Sequence, residues 1–318
     1  MSKTSDKHLG RVGVIMGGVS SERDISLKSG KAVCEALKEK CDVVPLDLTT
    51  EAKEEVISFI KASKISVAFV ALHGHFGEDG GIQEILEEMH IPYPGSGVLA
   101  SMSAIDKAVS HAIFKQRGIP IPRYAVIHKK DNYDRDTLST KIDFLPAVIK
   151  PATQGSSIGI TIVKEKDALE NSLKDAFEYD EKVVVEEFIS GREMTVGILE
   201  DKPLPIIEIA PKKQFFDFEA KYSEGKTDYI TQVDLPVDVY KRVQEVGVQA
   251  HLALGCRDFS RVDMILRDNT PYVLEVNTIP GFTSTSLLPK AAGTVDIDFT
   301  QLCLKLLNLA NGKGKEKK

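Results

Sequence analysis

The first hundred residues alternate between short apolar runs and stretches whose apolar residues recur at helical spacing. A buried strand is predicted at the start, where Gly17-Gly18 breaks the run and Ser20 or Ser21 can cap a helix. Strands and helices are predicted in turn at residues 11–15, 20–38, 43–46, 54–61, 67–72 and 82–89. This β-α-β-α-β-α series predicts a parallel sheet wrapped by helices, which we expect to end near Ser96.

The pattern changes after Gly97, where strands and helices no longer alternate regularly. Helices are predicted at residues 103–117 and 167–177, and strands at 145–150, 160–163 and 183–187. After Ser190-Gly191 the chain becomes rich in β-structure. Strands are predicted there at residues 193–199, 206–210, 260–266 and 272–276, and long helices at 237–254 and 298–309.

We therefore expect an α/β protein with three modules of about one hundred residues each. The predicted boundaries give an N-terminal α/β domain (1–96), a central module (97–188) and a C-terminal module (189–318). No internal repeat is visible in the sequence.

Composition and charge narrow the class of protein. The chain has 318 residues, 42% of them hydrophobic, but its apolar runs fall far short of the roughly twenty residues that a membrane span needs. Residues 1–10 lack the apolar segment of a secretory signal, so we expect a soluble, cytoplasmic protein without a membrane partner. The net charge of -6 argues against a general nucleic-acid binder. The four cysteines form no CxxC pair, so neither a zinc site nor a disulfide framework is indicated.

A hairpin near the C-terminus carries a candidate metal site. Arg261 and Asp263 lie two residues apart on one predicted strand, and Glu275 and Asn277 do so on the next, so each pair shares a face. A turn centred near Asn269 sets Asp263 roughly opposite Glu275. Facing carboxylates repel unless a cation lies between them, and this oxygen-rich set suits magnesium. The alternative is an exposed hairpin with a solvated salt bridge.

A glycine- and serine-rich segment at residues 150–159 is a candidate phosphate flap. Lys150 ends a strand and supplies a point charge, Gly155 lets backbone amides point inward, and the hydroxyls of Ser156 and Ser157 add donors. An ordinary glycine-rich turn explains the same residues. Two rival phosphate motifs fail, because Ala220 stands where a P-loop ending in Gly225-Lys226-Thr227 needs glycine, and the first βα turn lacks the GxGxxG spacing.

The strand after the flap has the composition of an adenosine pocket. Glu186 can accept a hydrogen bond from an exocyclic amine, Phe188 or Ile189 can pack on the base, and Glu193 can accept from ribose hydroxyls. A charged strand edge would explain the glutamates almost as well, so the pocket depends on its context.

The chain resembles the ATP-grasp superfamily and, within it, the D-alanine:D-alanine ligase family. The resemblance spans about residues 11–309 and depends on the joint order of several motifs. These are residues 17–26 (GGVSSERDIS), 72–74 (LHG), 77–81 (GEDGG), 106–107 (DK), 219–222 (EAKY) and 275–283 (EVNTIPGFT), together with the flap and the hairpin. It implies a three-domain ATP-grasp architecture in which two α+β modules clamp the nucleotide.

The resemblance also implies a reaction and its ligands. The carboxylate of a first D-alanine attacks the γ-phosphate of ATP, and the amine of a second D-alanine then attacks the acyl phosphate. ATP and Mg²⁺ are the implied cofactors, with two magnesium ions and manganese as an alternative. The implied metal ligands are Asp263, Glu275 and Asn277. The implied nucleotide contacts are Lys107, Lys150, Ser157, Glu186, Glu187, Phe188, Ile189, Glu193 and Lys221.

Catalytic and substrate roles are implied in the same way. Glu22 binds the first ammonium group, although an acid at a helix start is also favoured by the helix dipole. Ser156 and Tyr222 link Glu22 to the flap and a mobile loop. Arg261 stabilises transition-state charge, and the Gly281 amide donates to the tetrahedral intermediate. The remaining implied substrate contacts are His73 for the first D-alanine, and Ser286 and Leu287 for the carboxylate of the second, with a plain helix cap as the alternative for Ser286.

Two alternatives stay open at this stage. Another ATP-grasp carboxylate-amine ligase, or the D-alanine:D-lactate variant, would keep most of these residues. Glu22, Tyr222 and Ser286 argue against both. Tyr222 favours the dipeptide, because depsipeptide-forming relatives resemble the family with a histidine in that loop. A catalytically silent ATP-binding module is the other alternative, and the retention of Arg261 beside both metal carboxylates argues against it. Glu187 and Phe188 stand where lysine and tryptophan occur in some members. A homodimer is the family expectation.

Overall fold

The N-terminal part of the computed structural model is a three-stranded parallel sheet. The structure describes residues 9–131, 133–156, 158–211 and 227–313. Its first elements are β1 (Arg11–Gly17), α1 (Arg23–Leu37), β2 (Asp42–Leu48), α2 (Lys53–Ser63), β3 (Val67–Val70) and α3 (Gly81–Glu88). The strand order is β2-β1-β3, and both pairings are parallel. The central strand β1 is buried beyond its first residue, as expected of a parallel strand covered on both faces. The predicted parallel sheet is confirmed.

The helix that the sequence predicts at residues 103–117 is two helices. These are α4 (Val98–Ile105) and α5 (Lys107–Gln116). Between them, Asp106 adopts an extended backbone and its carboxylate accepts hydrogen bonds from Ala108 N at 3.0 Å and Val109 N at 3.2 Å. The prediction of one continuous helix is wrong because this side-chain cap starts a new helix where the apolar periodicity runs on.

The central sheet is antiparallel, with the strand order β4-β7-β5-β6. Two of its elements, β4 and α6, were not predicted from the sequence. The elements are β4 (Tyr124–His128), α6 (Arg135–Lys141), β5 (Ala147–Pro151), β6 (Thr161–Val163), a 3₁₀ turn (Lys166–Ala168), α7 (Leu169–Ala176) and β7 (Lys182–Glu187). The flap lies between β5 and β6, which pair directly, so its ends are held together by the ladder.

The third sheet is also antiparallel and has the order β11-β10-β8-β12-β13, with β9 paired to β8. Helix α8 packs on β8, β12 and β13. The elements are β8 (Arg192–Leu199), β9 (Lys202–Pro203), β10 (Ile207–Pro211), β11 (Thr227–Ile230), α8 (Val237–Ala253), β12 (Phe259–Arg267), β13 (Thr270–Asn277), α9 (Leu287–Gly293) and α10 (Phe299–Lys313).

One hydrophobic cluster joins the two ends of the chain. It includes Val14 and Phe69 of the N-terminal sheet together with Phe282 and Leu306 from the C-terminal third. The ring of Phe282 lies edge to face with Phe69 at a centroid distance of 5.2 Å and also contacts the rings of Phe259 and Phe299. Helix α10 packs on α1 and β3. The loop around Phe282 is therefore fixed against the N-terminal sheet, while the division into modules at residues 96 and 188 stays a prediction.

In the part of the chain that the structure describes, we find no helix with both the length and the apolar character to cross a membrane.

Replacing Phe69 with alanine tests the joint core. Phe69 is 1% exposed, and Phe69→Ala is expected to lower the free energy of unfolding by about 3–5 kcal/mol, because it removes a large buried side chain and leaves a cavity. Phe59→Ala on α2, where the side chain is 42% exposed, is the matched control and should cost less than about 1 kcal/mol. Urea denaturation of both variants measures the difference. Equal losses would contradict a core centred on Phe69.

Candidate active site

A cleft of about 400 Å³ lies between the central sheet and the third sheet. This volume lies in the range of small-molecule sites. Strands β5 and β7 contribute one wall, and β8, β10, β12 and β13 contribute the other. The cleft brings together many of the residues that the sequence predicted, namely Lys107, Lys150, Glu186, Glu187, Phe188, Ile189, Glu193, Asp263 and Glu275.

The hairpin of β12 and β13 carries its two carboxylates face to face. Asp268 and Asn269 form a two-residue turn with positive φ at both positions, and this turn pairs Arg267 with Thr270. Continued regularly, that register would set Asp263 opposite Leu274. A β-bulge after Asp263 shifts the pairing by one residue, so Asp263 faces Glu275. The predicted pairing is confirmed, although the bulge rather than the turn alone produces it.

The bulge also changes which side chains reach the cleft. Neighbouring residues of a regular strand point to opposite faces. Here Leu274 and Glu275 both line the cleft. An apolar residue thus lies beside the carboxylate of Glu275 in the same wall.

The carboxylate of Asp263 accepts hydrogen bonds from side chains on β8, β12 and β13. It accepts two hydrogen bonds from Arg261, Nε to Oδ1 at 2.9 Å and the second guanidinium nitrogen to Oδ2 at 2.7 Å. Asn277 Nδ2 donates to Oδ2 at 3.1 Å, and the hydroxyl of Thr195 donates to Oδ1 at 2.6 Å. Thr195 lies directly opposite Asp263 on β8 and is buried. It was missed in the sequence, because nothing there indicates that β8 pairs with β12.

The donor set of this hairpin fits a divalent cation. Asp263, Glu275 and Asn277 offer carboxylate and amide oxygens, which are hard ligands of the kind that magnesium prefers. Their number leaves positions for phosphate oxygens and water. Over the described residues, no three His, Cys, Asp or Glu side chains converge as a metal-binding group. Lys107 Nζ lies 4.0 Å from Glu275 Oε2, so a cation of the protein already borders this carboxylate.

Lys150 and Glu186 form a buried ion pair in the wall of the cleft. Lys150 Nζ donates to Glu186 Oε2 at 2.6 Å, and the glutamate is 1% exposed. His111 of α5, which is fully buried, places Nε2 at 3.1 Å from Glu186 Oε1. Neither of these two buried atoms has a hydrogen-bond partner of good geometry within the described ranges. Glu186 Oε1 is therefore a buried acceptor without a well-aligned donor in the described ranges.

The charges around Glu186 set its protonation state. Burial raises the pKa of Glu186, but its interactions with Lys150 and His111 lower it by more, from 4.5 to about 2. The carboxyl group is therefore ionised at neutral pH. His111 was not singled out from the sequence, since one histidine in an apolar helix carries no local sign of its partner.

Two arginines balance the negative charge of Glu187 at the edge of the cleft. Arg123 Nε donates to it at 2.9 Å, and Arg267 donates at 3.3 Å from β12. Burial raises the pKa of Glu187, and the hydrogen bonds from both arginines lower it by more. A glutamate is thus accommodated where some members of the implied family carry lysine.

The first turn of α5 anchors a lysine beneath the flap. Lys107 Nζ donates to the carbonyl oxygen of Gln154 at 2.7 Å, and Lys107 N donates to Ala152 O at 2.9 Å. The neighbouring Asp106 forms an ion pair with Lys182 at the start of β7. The predicted Lys107 therefore lies at the base of the flap and within reach of Glu275.

Glu22 lies where the N-terminal sheet meets the flap. It is 8% exposed, and the hydroxyl of Ser156 donates to its carboxylate. Gly74 and Gly155 border the same carboxylate so closely that an added Cβ would lie 2.8 and 3.1 Å from Glu22 Oε2. Gly74 also has a φ of +72°. The structure thus brings the predicted Glu22 and Ser156 together over 134 residues of chain, in a space that only glycines leave open.

The loop before α9 contains Gly281 and Ser286 and contacts the predicted His73. His73 Nδ1 lies 3.1 Å from Ile279 O, two residues before Gly281. Ser286 precedes α9 but makes no side-chain capping bond, and its hydroxyl instead accepts from Thr283 N at 3.0 Å. The plain-cap alternative is therefore not what the side chain does. Leu287 is the first residue of α9. The predicted Ser157, Lys221 and Tyr222 lie outside the described residues.

Comparison with known proteins gives one consistent result. The family model described as D-ala D-ala ligase N-terminus matches residues 11–58 and 50–96, and that described as D-ala D-ala ligase C-terminus matches residues 113–308. A D-alanine--D-alanine ligase of Desulforamulus reducens is 44% identical over 310 residues, which cover 94% of this chain and 98% of the relative.

Solved structures agree. The D-alanine--D-alanine ligase of Bacillus anthracis superposes with a TM-score of 0.87 at 40% identity, covering 97% of this chain and 99% of that one. A structure of that enzyme complexed with ATP superposes with a TM-score of 0.85 at 38% identity and the same coverage.

Acid denaturation tests the charge arrangement around Glu186. Because the pKa of Glu186 is lower in the folded protein than in the unfolded chain, its ionised form stabilises the fold at pH values above 4.5. This stabilisation is lost as the pH falls from 4.5 to about 2. Glu186→Gln should remove that pH-dependent contribution and also cost about 3–5 kcal/mol at neutral pH, since Lys150 loses its buried partner. Urea unfolding from pH 7 to pH 2 measures both effects. The control is Glu181→Gln, whose side chain is 83% exposed; equal behaviour of the two variants would contradict the assignment.

Proposed function

The chain belongs to the D-alanine–D-alanine ligase family, and from that premise we propose how the residues of its cleft carry out the reaction. The protein is an ATP-dependent ligase that joins two D-alanine molecules into D-alanyl-D-alanine, a dipeptide of peptidoglycan synthesis. The observation that carries the residue assignments is the cleft itself. It collects Lys150, Glu186, Asp263 and Glu275 from two different sheets into one cavity.

We propose that the adenine base binds between β7 and β10. Glu186, which is ionised and lines the cleft, would accept from the exocyclic amine. Phe188 and Ile189 would pack on the base, Glu187 would contribute to the base edge, and Glu193 would accept from ribose hydroxyls. Their common position in the cleft lining supports this orientation.

The phosphates would then extend toward Lys107 and Lys150. Ser157 and Lys221, which the resemblance adds to the phosphate contacts, are part of the same proposal. Lys150 already pairs with a carboxylate at 2.6 Å, and a phosphate would offer it a second anionic partner at the cleft surface. The short reach of Lys107 to both the flap and Glu275 supports its place between the nucleotide and the metal site.

We propose that Asp263, Glu275 and Asn277 hold magnesium, with two ions and with manganese as an alternative. When bound, the metal would neutralise charge on the β- and γ-phosphates and orient them. The facing carboxylates and the oxygen-rich donor set support this assignment.

The chemistry requires that two developing charges be stabilised. A carboxylate oxygen of the first D-alanine attacks the γ-phosphorus and displaces ADP, which gives an acyl phosphate. The amine of the second D-alanine, after losing a proton, attacks the acyl carbon, and phosphate leaves as the peptide bond forms. Arg261 would neutralise the phosphoryl and carbonyl oxygens, and the Gly281 amide would donate to the tetrahedral oxyanion. The position of Arg261 beside the metal carboxylate supports this role.

Substrate positioning would depend on groups outside the nucleotide pocket. Glu22 would bind the first ammonium group, and His73 would line the pocket of that substrate. Ser286 and the Leu287 amide at the start of α9 would bind the second carboxylate. The contact of Ser156 with Glu22 supports closure of the flap over the first substrate. Tyr222 would complete that closure, which keeps water away from the acyl phosphate.

Three further proposals concern specificity and setting. Tyr222 favours the dipeptide over the depsipeptide, with the D-alanine:D-lactate activity as the alternative. A cytoplasmic location is proposed because ATP is available there. A homodimer is proposed on the family expectation.

The activity is tested by incubating the protein with ATP, magnesium and D-alanine. We expect D-alanine-dependent phosphate release, with one dipeptide formed per phosphate. A coupled assay measures the phosphate, and chromatography measures the dipeptide. Omission of D-alanine is the control for idle ATP hydrolysis. A preference for D-lactate in the second position would move the assignment to the depsipeptide variant, and no D-alanine-dependent phosphate would remove the ligase assignment altogether.

Neutralising Glu275 tests the metal site. Glu275→Gln should lower kcat at least about tenfold and raise the magnesium concentration needed for half-maximal rate, because one anionic ligand is lost. Asp268→Asn is the matched control, since it removes a carboxylate from the turn of the same hairpin, where asparagine tolerates the positive φ. Unchanged magnesium dependence in Glu275→Gln would exclude this residue as a ligand.

A further inference from the structure

The buried face of α1 carries a serine that contacts the C-terminal loop. Ser29 is 1% exposed and lies two helical turns after Glu22, on the same face as Ser26. Its hydroxyl lies 3.0 Å from His73 Nε2 and 3.2 Å from the backbone nitrogen of Phe282. The second contact joins residues 253 positions apart. Neither the motifs nor the reaction assigns Ser29 a role.

The direction of two of these hydrogen bonds follows from their partners. Ile279 O can only accept, so His73 Nδ1, at 3.1 Å from it, carries the proton. Phe282 N can only donate, so Ser29 Oγ accepts from it. The Ser29 hydroxyl and His73 Nε2, 3.0 Å apart, form the remaining hydrogen bond. His73 Nδ1 also lies 3.3 Å from Glu78 Oε1, so the histidine side chain is held on both sides.

The two contacts hold both ends of one short turn. His73 binds the carbonyl of Ile279, and Ser29 binds the amide of Phe282. Gly281, the proposed oxyanion donor, lies between these two fixed points. His73 follows β3 of the N-terminal sheet, and Ser29 lies on α1, whose N-cap residue is Glu22. The two residues therefore fix the position of the Gly281 amide relative to the start of α1, where Glu22 is proposed to bind the first substrate.

We propose that Ser29 is a positioning residue, which through His73 and Phe282 aligns the Gly281 amide with the acyl carbon of the substrate held by Glu22. This inference rests on the proposed function. A misplaced donor would stabilise the tetrahedral intermediate poorly, and a displacement of about 1 Å is enough to cost a rate factor of about one hundred. Attack by the second amine would slow, while formation of the acyl phosphate would not. The longer-lived acyl phosphate would then react with water, giving D-alanine and phosphate instead of dipeptide.

Comparison of two buried serines on the same helix tests this proposal. Ser29→Ala removes the contact to His73 and the contact to Phe282 N of the C-terminal loop. Ser26→Ala is the matched control, because Ser26 is equally buried and its hydroxyl also makes two hydrogen bonds, from Gly17 N at 2.8 Å and to Ala71 O at 2.7 Å, both within the N-terminal sheet. For each full-length variant, kcat, the KM for ATP and the ratio of phosphate released to dipeptide formed are measured.

Ser29→Ala is expected to lower kcat by about ten- to a hundredfold, to leave the KM for ATP nearly unchanged and to raise the phosphate-to-dipeptide ratio above one. Ser26→Ala should keep a ratio of one even where its thermal stability falls, because a smaller folded fraction lowers both products equally. Ser29→Thr, which keeps the hydroxyl, should restore the ratio. If Ser29→Ala does not fold, Ser29→Cys takes its place, since a thiol keeps the volume and weakens both hydrogen bonds.

A ratio of one in Ser29→Ala or Ser29→Cys, or an equally raised ratio in Ser26→Ala, would overturn the proposal. Failure of the wild-type protein to form dipeptide would instead count against the proposed function, so the two failures are distinguishable.

Discussion

Phe282 packs against Phe69, Phe259 and Phe299 in a core that belongs to both ends of the chain. Protein interiors are close-packed, so this contact allows little relative displacement of the elements that it joins. Glu22 stands at the start of α1 on one side, and Gly281 is the residue before Phe282 on the other. The two substrate-facing ends of the proposed site are thus held together by an apolar contact that takes no part in the chemistry.

Ionic groups of the cleft occur in neutralising sets. Glu186 pairs with Lys150, and Asp263 pairs with Arg261. Leaving either carboxylate buried without a partner would be costly, because the low-dielectric interior does not solvate charge. The same pairs place cations where phosphates are proposed to bind. The stability of the cleft and its affinity for an anionic ligand therefore depend on the same side chains. Small hydroxyls, among them Thr195 and Ser156, complete the hydrogen bonding of these carboxylates.

Local sequence patterns predicted helices and strands well in segments where each residue's burial depends mainly on its neighbours in the chain. The β-α alternation of the first ninety residues gave the parallel sheet, and the spacing of Arg261, Asp263, Glu275 and Asn277 gave the face that they share. Local reasoning failed at Asp106, where a side-chain cap divides a helix that periodicity alone continues. It also missed β4 and α6, whose short segments lack a strong apolar period.

The order of carboxylates, lysines and glycines along the chain sets which chemistry is available. How the helices and sheets pack sets which of these residues meet. The bulge that turns Glu275 toward Asp263, the strand pairing that brings Thr195 to the same carboxylate, and the contacts of His111 with Glu186 and of Ser29 with Phe282 all join distant residues. Such contacts depend on how sheets and helices pack around a shared core, and no periodicity or spacing along the chain encodes that packing directly.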